Sequence, residues 1–562
     1  MTRLRTTRHI LLAVALLMFG AVLGVQFDSY LSADDALQQF EKLKRAFVVI
    51  SGRYVEPVDA AEMTEEGVKG MVNSLDPHSS YIPSKQVRDT RDRYEGSFGG
   101  IGIRFEPGDT ARVIAPISGG PSQKVGIMAG DRIVEIGDLS AIGLSGDEIQ
   151  NRLKGKIGTS ITVTIYRPLA DKRLTFTIER DKIPLYSVNS AYLMDEQTGY
   201  IEIGRFSMST HQEFLNKVDT LRKQGMERLV LDLRDNPGGV MQSAVRIGDE
   251  FLGEGMTIVR TKGRSPEMDT QYRGEEGGVF GKDPVIVLVN RRSASASEIL
   301  AGALQDHDRA LIVGRRTFGK ALVQKQFELN DGSLLQMTVG RYYTPVGRLI
   351  QTPYEKGKRD AYYEEKSRSW RDAVYDVETY KESIPDSLTY RTDHGRTVFG
   401  GGGIMPDHVV APDTSSLATF IRESQVDALF AREWFSQNEQ ELRSTWQSRE
   451  DAFLSSYEVP KKAVDAFWTY TQKEDVLTLT TTPDSVNLGE RIYRRSEADS
   501  VRTLVQSRLK GHLANTLYGS GVGRPILNKA DPIVQRAATL WPSSRELAAY
   551  HTTSASSSRN EE

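Results

Sequence analysis

The segment from Gly199 to Val313 most constrains the fold, because short, largely apolar stretches alternate there with amphipathic helical patterns. Strands that are apolar along their length bury both faces, so the sheet they form must be covered by helices on each side. The alternation therefore predicts an α/β core. The predicted strands are 200–203, 229–233, 285–289 and 311–313, and the predicted helices are 210–224, 243–251 and 295–304.

The flanking segments differ from this core and indicate a multidomain chain of 562 residues. A Gly-rich loop, short β-branched runs and one helix at Gly146–Leu153 predict a compact, mostly β module before the core. Helical periodicity precedes this module and returns after Pro412, whereas the Ser-rich end is typical of a disordered tail. The predicted α/β (multidomain α+β) organisation is a signal or anchor at 1–31, a helical region at 33–95, the β module at 96–182, the α/β core at 183–412, a helical extension at 413–548 and a tail at 549–562.

The first residues have the pattern of an export signal. Arg3, Arg5 and Arg8 precede an uncharged apolar run from Ile10 to Val25, which is the order of a cationic region and a hydrophobic region. Sixteen helical residues span about 24 Å, slightly less than the ~30 Å hydrocarbon core, so length leaves a cleaved signal and a retained anchor open. Because no A-x-A pattern follows, we favour an anchor with the arginines in the cytoplasm and the body exported, on the periplasmic side of the inner membrane.

Composition excludes several function classes. Lys plus Arg total 72 and Asp plus Glu total 75, a net charge of −3, so no bulk positive field favours a nucleic-acid partner. The absence of cysteine excludes thiol nucleophiles, thiolate metal sites and disulfides. The eight histidines are scattered without a metal-binding spacing, so we expect neither a metal nor a cofactor. The sequence leaves a homo-oligomer open.

Two loops at the carboxyl ends of predicted strands carry the candidate chemistry. The second predicted strand runs into Arg234–Gly239, where two glycines after a proline leave backbone N–H groups open to an oxyanion. The third is followed by Ser293, Ser295 and Ser297 at the start of a helix, whose N-terminus stabilises developing negative charge. An ordinary helix cap is equally compatible, because Ser295–Glu298 matches the S-x-x-E capping box.

A candidate base follows in Phe318–Gln324, where Lys320 lies among apolar residues. Burial would lower the pKa of this lysine, because desolvation disfavours the ammonium form. A neutral amine beside a serine hydroxyl can act as a general base. A solvated loop lysine is the ordinary alternative, so these residues alone leave the roles of Ser295 and Lys320 open.

Six motifs, together with the β module, resemble the carboxyl-terminal processing proteases, also called tail-specific proteases. The motifs are LDPHSSY (Leu75–Tyr81), LRDNPGG (Leu233–Gly239), SASASEILAGALQD (Ser293–Asp306), FGKALVQ (Phe318–Gln324), YYTPVGR (Tyr342–Arg348) and GGIMPD (Gly402–Asp407). They occur in the family's order and cover roughly residues 35–412. The resemblance implies a serine peptidase whose nucleophile is Ser295 and whose general base is Lys320, 25 residues later as in the family.

The resemblance also implies roles for neighbouring residues. Gln324, one helical turn after the lysine, would orient the Lys320 amine. The backbone N–H of Gly238 or Gly239, together with that of Ala296, would form the oxyanion hole. His307 lies about three turns beyond Ser295, ~18 Å along the helix, so a Ser-His-Asp triad is not expected.

The β module resembles a PDZ domain through GGIGI (Gly99–Ile103) and AGDRIVEIGD (Ala129–Asp138). In such domains a glycine-rich loop binds a terminal carboxylate while the peptide adds as a strand to the sheet edge. The implied partners are therefore protein substrates with free C-termini. The predicted carboxylate-binding residues are Gly100, Ile101, Gly102 and Ile103.

Three departures from the family pattern are visible. Arg291 and Arg292 replace the glycines common before SASAS, and Ala321 and Leu322 alter the usual FGKGSVQ. A polar, Tyr-rich stretch at 353–397, called the insertion below, separates two of the motifs. We expect the insertion to be a solvated surface excursion.

The sequence thus predicts an exported serine endopeptidase that cleaves envelope proteins near their C-termini and recognises their tails through a PDZ domain. The alternative is a catalytically silent PDZ scaffold in the cell envelope. An intact Ser295, Lys320 and Gln324 argue against that alternative, because a scaffold has no need of a buried amine.

Overall fold

The computed structural model describes residues 37–557 except 118, 276–277, 413–415, 483–485 and 487–490. The chain divides into two compact units, residues 1–75 and 76–562. The first unit contains helix α1, described over residues 37–53, and helix α2 (Ala60–Asn73). Helix α2 begins where the Asp59 carboxylate accepts two backbone N–H groups of the first turn, a standard N-cap.

The predicted signal or anchor at 1–31 lies outside the described residues. Among the helices that are described, none is long and apolar enough to cross a membrane.

The second unit begins with strand β1 (Ser80–Ile82) and helix α3 (Ser84–Glu95). Strand β1 pairs antiparallel with residues 334–336 of the core. The prediction of a wholly helical region at 33–95 is therefore wrong at β1. A three-residue strand is too short to show the alternation by which strands are recognised.

The β module forms an antiparallel sheet of order β3-β4-β5-β7-β8, with β6 on β5 and a separate β2–β9 pair. Its helix α5 has the predicted bounds and begins with a Ser145–Glu148 capping box. The elements are β2 (Ser97–Gly100), β3 (Ile103–Glu106), β4 (Ala111–Pro116), α4 (Pro121–Lys124), β5 (Arg132–Ile136), β6 (Leu139–Ser140), α5 (Gly146–Leu153), β7 (Ser160–Arg167), β8 (Lys172–Glu179) and β9 (Asp181–Pro184).

The core confirms the predicted α/β architecture. Its elements are β10 (Val188–Leu193), β11 (Thr198–Ile203), α6 (Thr210–Lys223), β12 (Arg228–Asp232), α7 (Met241–Asp249), β13 (Thr257–Gly263), β14 (Thr270–Arg273), β15 (Val285–Val289), α8 (Ala296–Asp306), β16 (Leu311–Gly314), β17 (Leu322–Glu328) and β18 (Leu334–Tyr343). An antiparallel sheet joins β1, β18, β13 and β14, and β17 also pairs with β18.

The insertion contains helices α9 (Arg359–Tyr375) and α10 (Val377–Glu382) and the antiparallel pair β19 (Thr389–Arg391) and β20 (Thr397–Phe399). The prediction that it is a solvated excursion is wrong for one side of α9. Buried side chains on that side are Tyr362, Lys366, Ala373 and Val374.

Strand β21 (His408–Val409) completes the central sheet, whose order is β10-β11-β12-β15-β16-β21. Only the β10–β11 pair is antiparallel, and the other four pairs are parallel. The parallel arrangement brings the carboxyl ends of β12 and β15 together, since Asp232 pairs with Leu288.

The described residues of the C-terminal extension form helices and one parallel strand pair, β22–β23. Its elements are α11 (Leu417–Ser424), α12 (Val426–Gln437), α13 (Glu439–Trp446), α14 (Glu450–Ser456), α15 (Lys461–Lys473), β22 (Thr478–Thr480), β23 (Ile492–Arg494), α16 (Arg495–Ser500), α17 (Arg502–Tyr518), α18 (Ser520–Lys529), α19 (Pro532–Ala538) and α20 (Trp541–Ser557). Residues 549–557, predicted as a disordered tail, belong to α20, and 558–562 lie outside the described residues.

Helices cover both faces of the central sheet, but they come from distant parts of the chain. One face packs against α6, α7 and α8, which follow their strands directly. The opposite face packs against α19 and α20 at the far end of the chain. The end of the extension is therefore a structural layer of the core, with Ile533, Val534, Leu540 and Trp541 against Tyr200, Val230, Ile286, Leu288 and Val313. The helices from α11 to α17 pack around a separate hydrophobic cluster.

Candidate active site

Two of the three clustered serines hold loops together. The Ser293 hydroxyl donates to the Leu233 carbonyl at 2.8 Å, and the Ser297 hydroxyl donates to the Asn236 carbonyl at 3.0 Å. These bonds join the start of α8 to the glycine-rich loop after β12. Ser295 takes no part in these bonds. It is only half-buried, whereas Ser293 and Ser297 are fully buried.

Ser295 has a strained backbone at the junction of strand and helix. Its φ of 56° and ψ of −113° lie outside the regions that a non-glycine residue normally adopts. Its carbonyl accepts from the N–H groups of Glu298 and Ile299 and from the Tyr342 hydroxyl. Such a backbone costs about 1–3 kcal/mol and is found mainly at functional sites, so the geometry supports a role beyond helix capping.

Glu298 joins the serine segment to the lysine segment. Its carboxylate is fully buried and accepts from the N–H groups of Ser295 (2.8 Å), Gly319 (2.6 Å) and Lys320 (2.9 Å) and from the Thr317 hydroxyl (2.5 Å). Burial raises the pKa of Glu298, and these four donors oppose that rise. From the sequence alone, Glu298 is expected only as part of a capping box.

Lys320 and Gln324 lie in direct contact. The half-buried Lys320 Nζ donates to Gln324 Oε1 at 2.7 Å. Burial lowers the pKa of Lys320, whereas the charges of Glu298 and Asp76 raise it. Within the described residues, no hydrogen bond joins Lys320 Nζ to the Ser295 hydroxyl, so the two predicted catalytic groups are near in the fold but not engaged.

The LDPHSSY motif fixes the orienting glutamine. Asp76 is buried and accepts from the N–H groups of His78 and Ser79 at 2.9 and 3.0 Å. The turn that results presents the His78 carbonyl to Gln324 Nε2 at 2.7 Å. Gln324 Oε1 also accepts from Gln336 Nε2 at 3.1 Å, so both ends of its amide are fixed.

The glycine-rich loop approaches the serine closely. A Cβ on Gly238 would lie 2.8 Å from Ser295 Cβ and 2.9 Å from the Ala296 nitrogen, so only glycine fits there. The Gly238 N–H already donates to Asn236 Oδ1 at 2.9 Å. In the part of the chain that the structure describes, no hydrogen bond engages the N–H groups of Gly239 or Ala296. Of the three predicted oxyanion donors, these two are therefore open.

His307 ends helix α8 and is held by other residues. Its Nδ1 lies 2.7 Å from Asp393 Oδ2, and its Nε2 lies 2.7 Å from the Thr257 carbonyl. Burial opposes its protonation, but these bonds raise the pKa of His307 overall. Both ring nitrogens are thus occupied by structural contacts.

The PDZ-like loop turns between strands β2 and β3. Ile101 is buried, and its carbonyl accepts from the N–H and hydroxyl of Ser122 at 3.0 and 2.6 Å. Gly102 has a φ of 71°, which lets the loop turn into β3 at Ile103. Strand β3 is the terminal strand of its sheet, so its outer edge is available to an added strand. Gly100, the remaining predicted residue, is paired with Asp181 in the β2–β9 ladder.

Family models match three segments of the chain. They describe the N-terminal domain of the activating protease CtpB over residues 25–86, a PDZ domain over residues 99–179, and peptidase family S41 over residues 197–356.

Several similar proteins and one solved structure are named as C-terminal processing proteases. The carboxy-terminal-processing protease of Bartonella bacilliformis is 35% identical over 351 residues, 61% of this chain and 80% of that protein. The carboxy-terminal processing protease CtpA of Bacillus subtilis is 33% identical over 321 residues, 57% of this chain and 68% of that protein. A solved photosystem II D1 C-terminal processing protease is 26% identical, with a TM-score of 0.33 over 66% of this chain and 87% of that one. The chain therefore belongs to the carboxy-terminal processing proteases of peptidase family S41, and it is a serine-type peptidase with a PDZ domain.

Proposed function

We propose that the protein is an endopeptidase that hydrolyses protein substrates near their C-termini through a Ser295–Lys320 dyad. The neutral Lys320 amine accepts the Ser295 hydroxyl proton while Oγ attacks the scissile carbonyl carbon. Protonated Lys320 then gives this proton to the leaving amine as the C–N bond breaks, which forms the acyl-enzyme. Water, deprotonated by Lys320, then attacks the ester carbonyl carbon, and the ester C–O bond breaks as Lys320 returns this proton to Ser295 Oγ.

The observation that carries this proposal is the single buried Glu298 carboxylate. It binds the backbone N–H groups of Ser295 and Lys320 at once, so the two segments keep a fixed separation. Gln324 holds the Lys320 amine, and the dyad is completed when Nζ engages the Ser295 hydroxyl. Catalytic hydrogen bonds are often long in a free enzyme and shorten when substrate binds.

We assign the oxyanion hole to the N–H groups of Gly239 and Ala296. The Gly238 N–H, which the sequence left as an alternative, is supported less well because Asn236 already accepts it. Ala296 is the first residue of α8, where the helix dipole favours negative charge.

Substrate tails are proposed to bind the PDZ domain. The turn at Gly100–Ile103 receives the terminal carboxylate, and the tail adds as a strand beside β3. This division of labour separates recognition of the chain end from cleavage in the core.

The location is proposed from the N-terminal segment. Three arginines before an apolar run support export of the body, with residues 1–31 retained as an anchor in the inner membrane or cleaved to leave a periplasmic enzyme. Amino-terminal sequencing and fractionation of the mature protein separate these outcomes. A soluble cytoplasmic protein with Met1 intact would contradict both, and light scattering of the detergent-solubilised chain measures whether it is a homo-oligomer.

The central experiment is digestion of an unfolded protein by the wild type, Ser295→Ala, Lys320→Ala and His307→Ala. We expect both dyad variants to lose proteolysis while remaining folded, and the histidine variant to retain it. The same substrate with an amidated C-terminus should be cleaved more slowly by the wild type. Full activity in Lys320→Ala would refute the dyad, and the catalytically silent scaffold would require an inactive wild type.

A further inference from the structure

Two departures from the family pattern meet beside the candidate active site. The guanidinium of Arg291, just before the serine segment, lies 5.0 Å from the ring centroid of Trp370 on α9 of the insertion, within cation–π range. Arg316, on the loop before the lysine segment, donates to the Ser369 hydroxyl at 3.1 Å and to the Tyr380 hydroxyl. The insertion is therefore fixed to the loops that carry both members of the predicted dyad.

One side of α9 reaches into the site. Lys366 is only 9% exposed, and its Nζ lies 3.1 Å from the ring centroid of Phe318, two residues before Lys320. The same Nζ donates to the Tyr362 hydroxyl at 3.0 Å. Burying an ammonium group is costly unless it is well paired. If the insertion were a solvated excursion, Lys366 would therefore lie in water rather than against Phe318.

Tyr362 connects Lys366 to the residues that orient the base. Its hydroxyl lies 3.2 Å from His78 Nε2, and the two rings meet edge to face with centroids 5.5 Å apart. The backbone carbonyl of the same His78 accepts from Gln324 Nε2, and Gln324 Oε1 accepts from Lys320 Nζ, each at 2.7 Å. A continuous chain of contacts thus runs from Lys366 to Lys320.

We propose that the insertion is a working part of the active site, in which Tyr362 and Lys366 are positioning residues that hold His78 and, through it, Gln324 and Lys320. This inference rests on the proposed dyad and extends it to a segment outside the family's motifs. Neither residue touches the reacting atoms in this role.

The charges around the two amines give the arrangement a measurable signature. Burial lowers the pKa of Lys366 to about 7, with a further decrease from Arg316 and Lys320. Burial and both lysines lower the pKa of His78 to about 3, so its ring is neutral. Since the charge of Lys320 contributes to the lowered pKa of Lys366, whereas Lys366 does not contribute to that of Lys320, removal of the Lys320 charge should raise the pKa of Lys366. The titratable or charged groups that face the two amines are Glu298, Asp76, His78, Arg316, Arg359 and Tyr362.

The first test is the pH dependence of kcat/KM on a peptide substrate. We expect Lys366→Met to lower kcat/KM across the profile, because the Tyr362 hydroxyl loses its partner, and to leave the acidic limb near its wild-type position. Lys366→Arg keeps a donor for that hydroxyl and should lose less activity. Lys356→Met, an exposed lysine of the same insertion, is the matched control and should change nothing.

The second test removes one oxygen atom. Tyr362→Phe keeps the ring but loses the contacts with His78 and Lys366, so kcat should fall about 10- to 100-fold with little change in KM. Tyr363→Phe, on the neighbouring exposed tyrosine, is the control and should behave as the wild type.

A third measurement does not depend on activity. In a Ser295→Ala background, the pH at which Lys366 becomes acetylated, followed by mass spectrometry, should rise when Lys320→Met is added. If Lys320→Ala abolishes proteolysis but Lys366→Met keeps full kcat/KM, Lys320→Met leaves the acetylation of Lys366 unchanged, and Tyr362→Phe retains full kcat, the inference is overturned while the proposed dyad stands. Activity in Lys320→Ala would instead overturn the dyad. Circular dichroism checks that each variant is folded.

Discussion

Glu298→Gln tests whether the site depends on one buried carboxylate. Glu298 Oε1 accepts from the Thr317 hydroxyl and the Gly319 N–H, and Oε2 accepts from the N–H groups of Ser295 and Lys320. An amide has only one oxygen, so one of these pairs would face an NH2 donor after the substitution.

The magnitude follows from the two bonds that are lost. A hydrogen bond to a charged group contributes about 1.5–3 kcal/mol, so the loss is about 3–6 kcal/mol of local stability. Every 1.4 kcal/mol is a factor of ten, which predicts about 100- to 10,000-fold faster opening of the affected amides. The rate of proteolysis should fall as well, because the Ser295 and Lys320 segments would no longer be held by the same carboxylate.

Hydrogen exchange measured by mass spectrometry is the appropriate assay, because a chain of several domains does not unfold in one step. Peptides covering residues 293–298 and 317–322 should lose protection in Glu298→Gln at alkaline pH. Glu148→Gln is the matched control, since Glu148 forms the same capping box on α5 but is exposed, and its effect should stay within about 0.5 kcal/mol. Equal protection in wild type and Glu298→Gln would refute the reasoning.

Three further outcomes are expected. Ser297→Ala removes one of two donors to the Asn236 carbonyl, which keeps the Ala294 N–H, so the cost should be about 0.5–1.5 kcal/mol and activity should be reduced but not abolished, whereas Ser295→Ala should be inactive. Gly102→Val strains a residue with a φ of +71° and brings a Cβ to 3.0 Å from Ile183 Cδ1. Calorimetry should therefore show weaker binding of a free-carboxylate peptide to this variant. If the wild type bound the amidated peptide equally well, the carboxylate clamp would be contradicted. The kcat/KM of the wild type should rise with pH as Lys320 loses its proton, and because burial lowers the pKa of Lys320, a limb at or above ~10.4 would contradict the assignment.

The core and its candidate site could be predicted because local patterns specify them. Buried strands are apolar along their whole length, and β15 was predicted with its observed bounds. The chemistry follows at strand ends, where parallel pairing places neighbouring loops side by side. The resemblance to the processing proteases, and not these patterns, assigned roles to Ser295, Lys320 and Gln324, and the structure brings Gln324 into contact with Lys320.

The insertion could not be predicted in the same way. Lys366 interrupts the apolar side of α9 with a residue that is normally exposed, so its pattern is typical of a solvated helix. Lys366 is buried against Phe318, which lies in another motif. Its partner Tyr362 contacts His78, which is far away in sequence. Long-range contacts of this kind have no periodic signal in a single sequence.

The second helical layer and Glu298 were missed for a related reason. The apolar residues of α19 show that this helix has a buried side, but not that its partner is the central sheet. A capping box has the same sequence whether it is exposed, as at Glu148, or fully buried, as at Glu298. Burial, which turns a helix cap into an anchor for two segments, is a property of the folded chain alone.

The balance of charge explains why the site carries two buried amines. Glu298 supplies one buried negative charge, whereas Lys320 and Lys366 offer two positive ones close to it. A buried site with excess positive charge is unfavourable, so one of the two amines must give up its proton near neutral pH. Burial lowers the pKa of both lysines, and the charge of Lys320 lowers that of Lys366 further, to about 7, so Lys366 is the amine that gives up its proton first. A neutral Lys366 can still hold the Tyr362 hydroxyl, and its loss of charge relieves the excess positive charge beside Glu298 while the insertion stays packed against the candidate site.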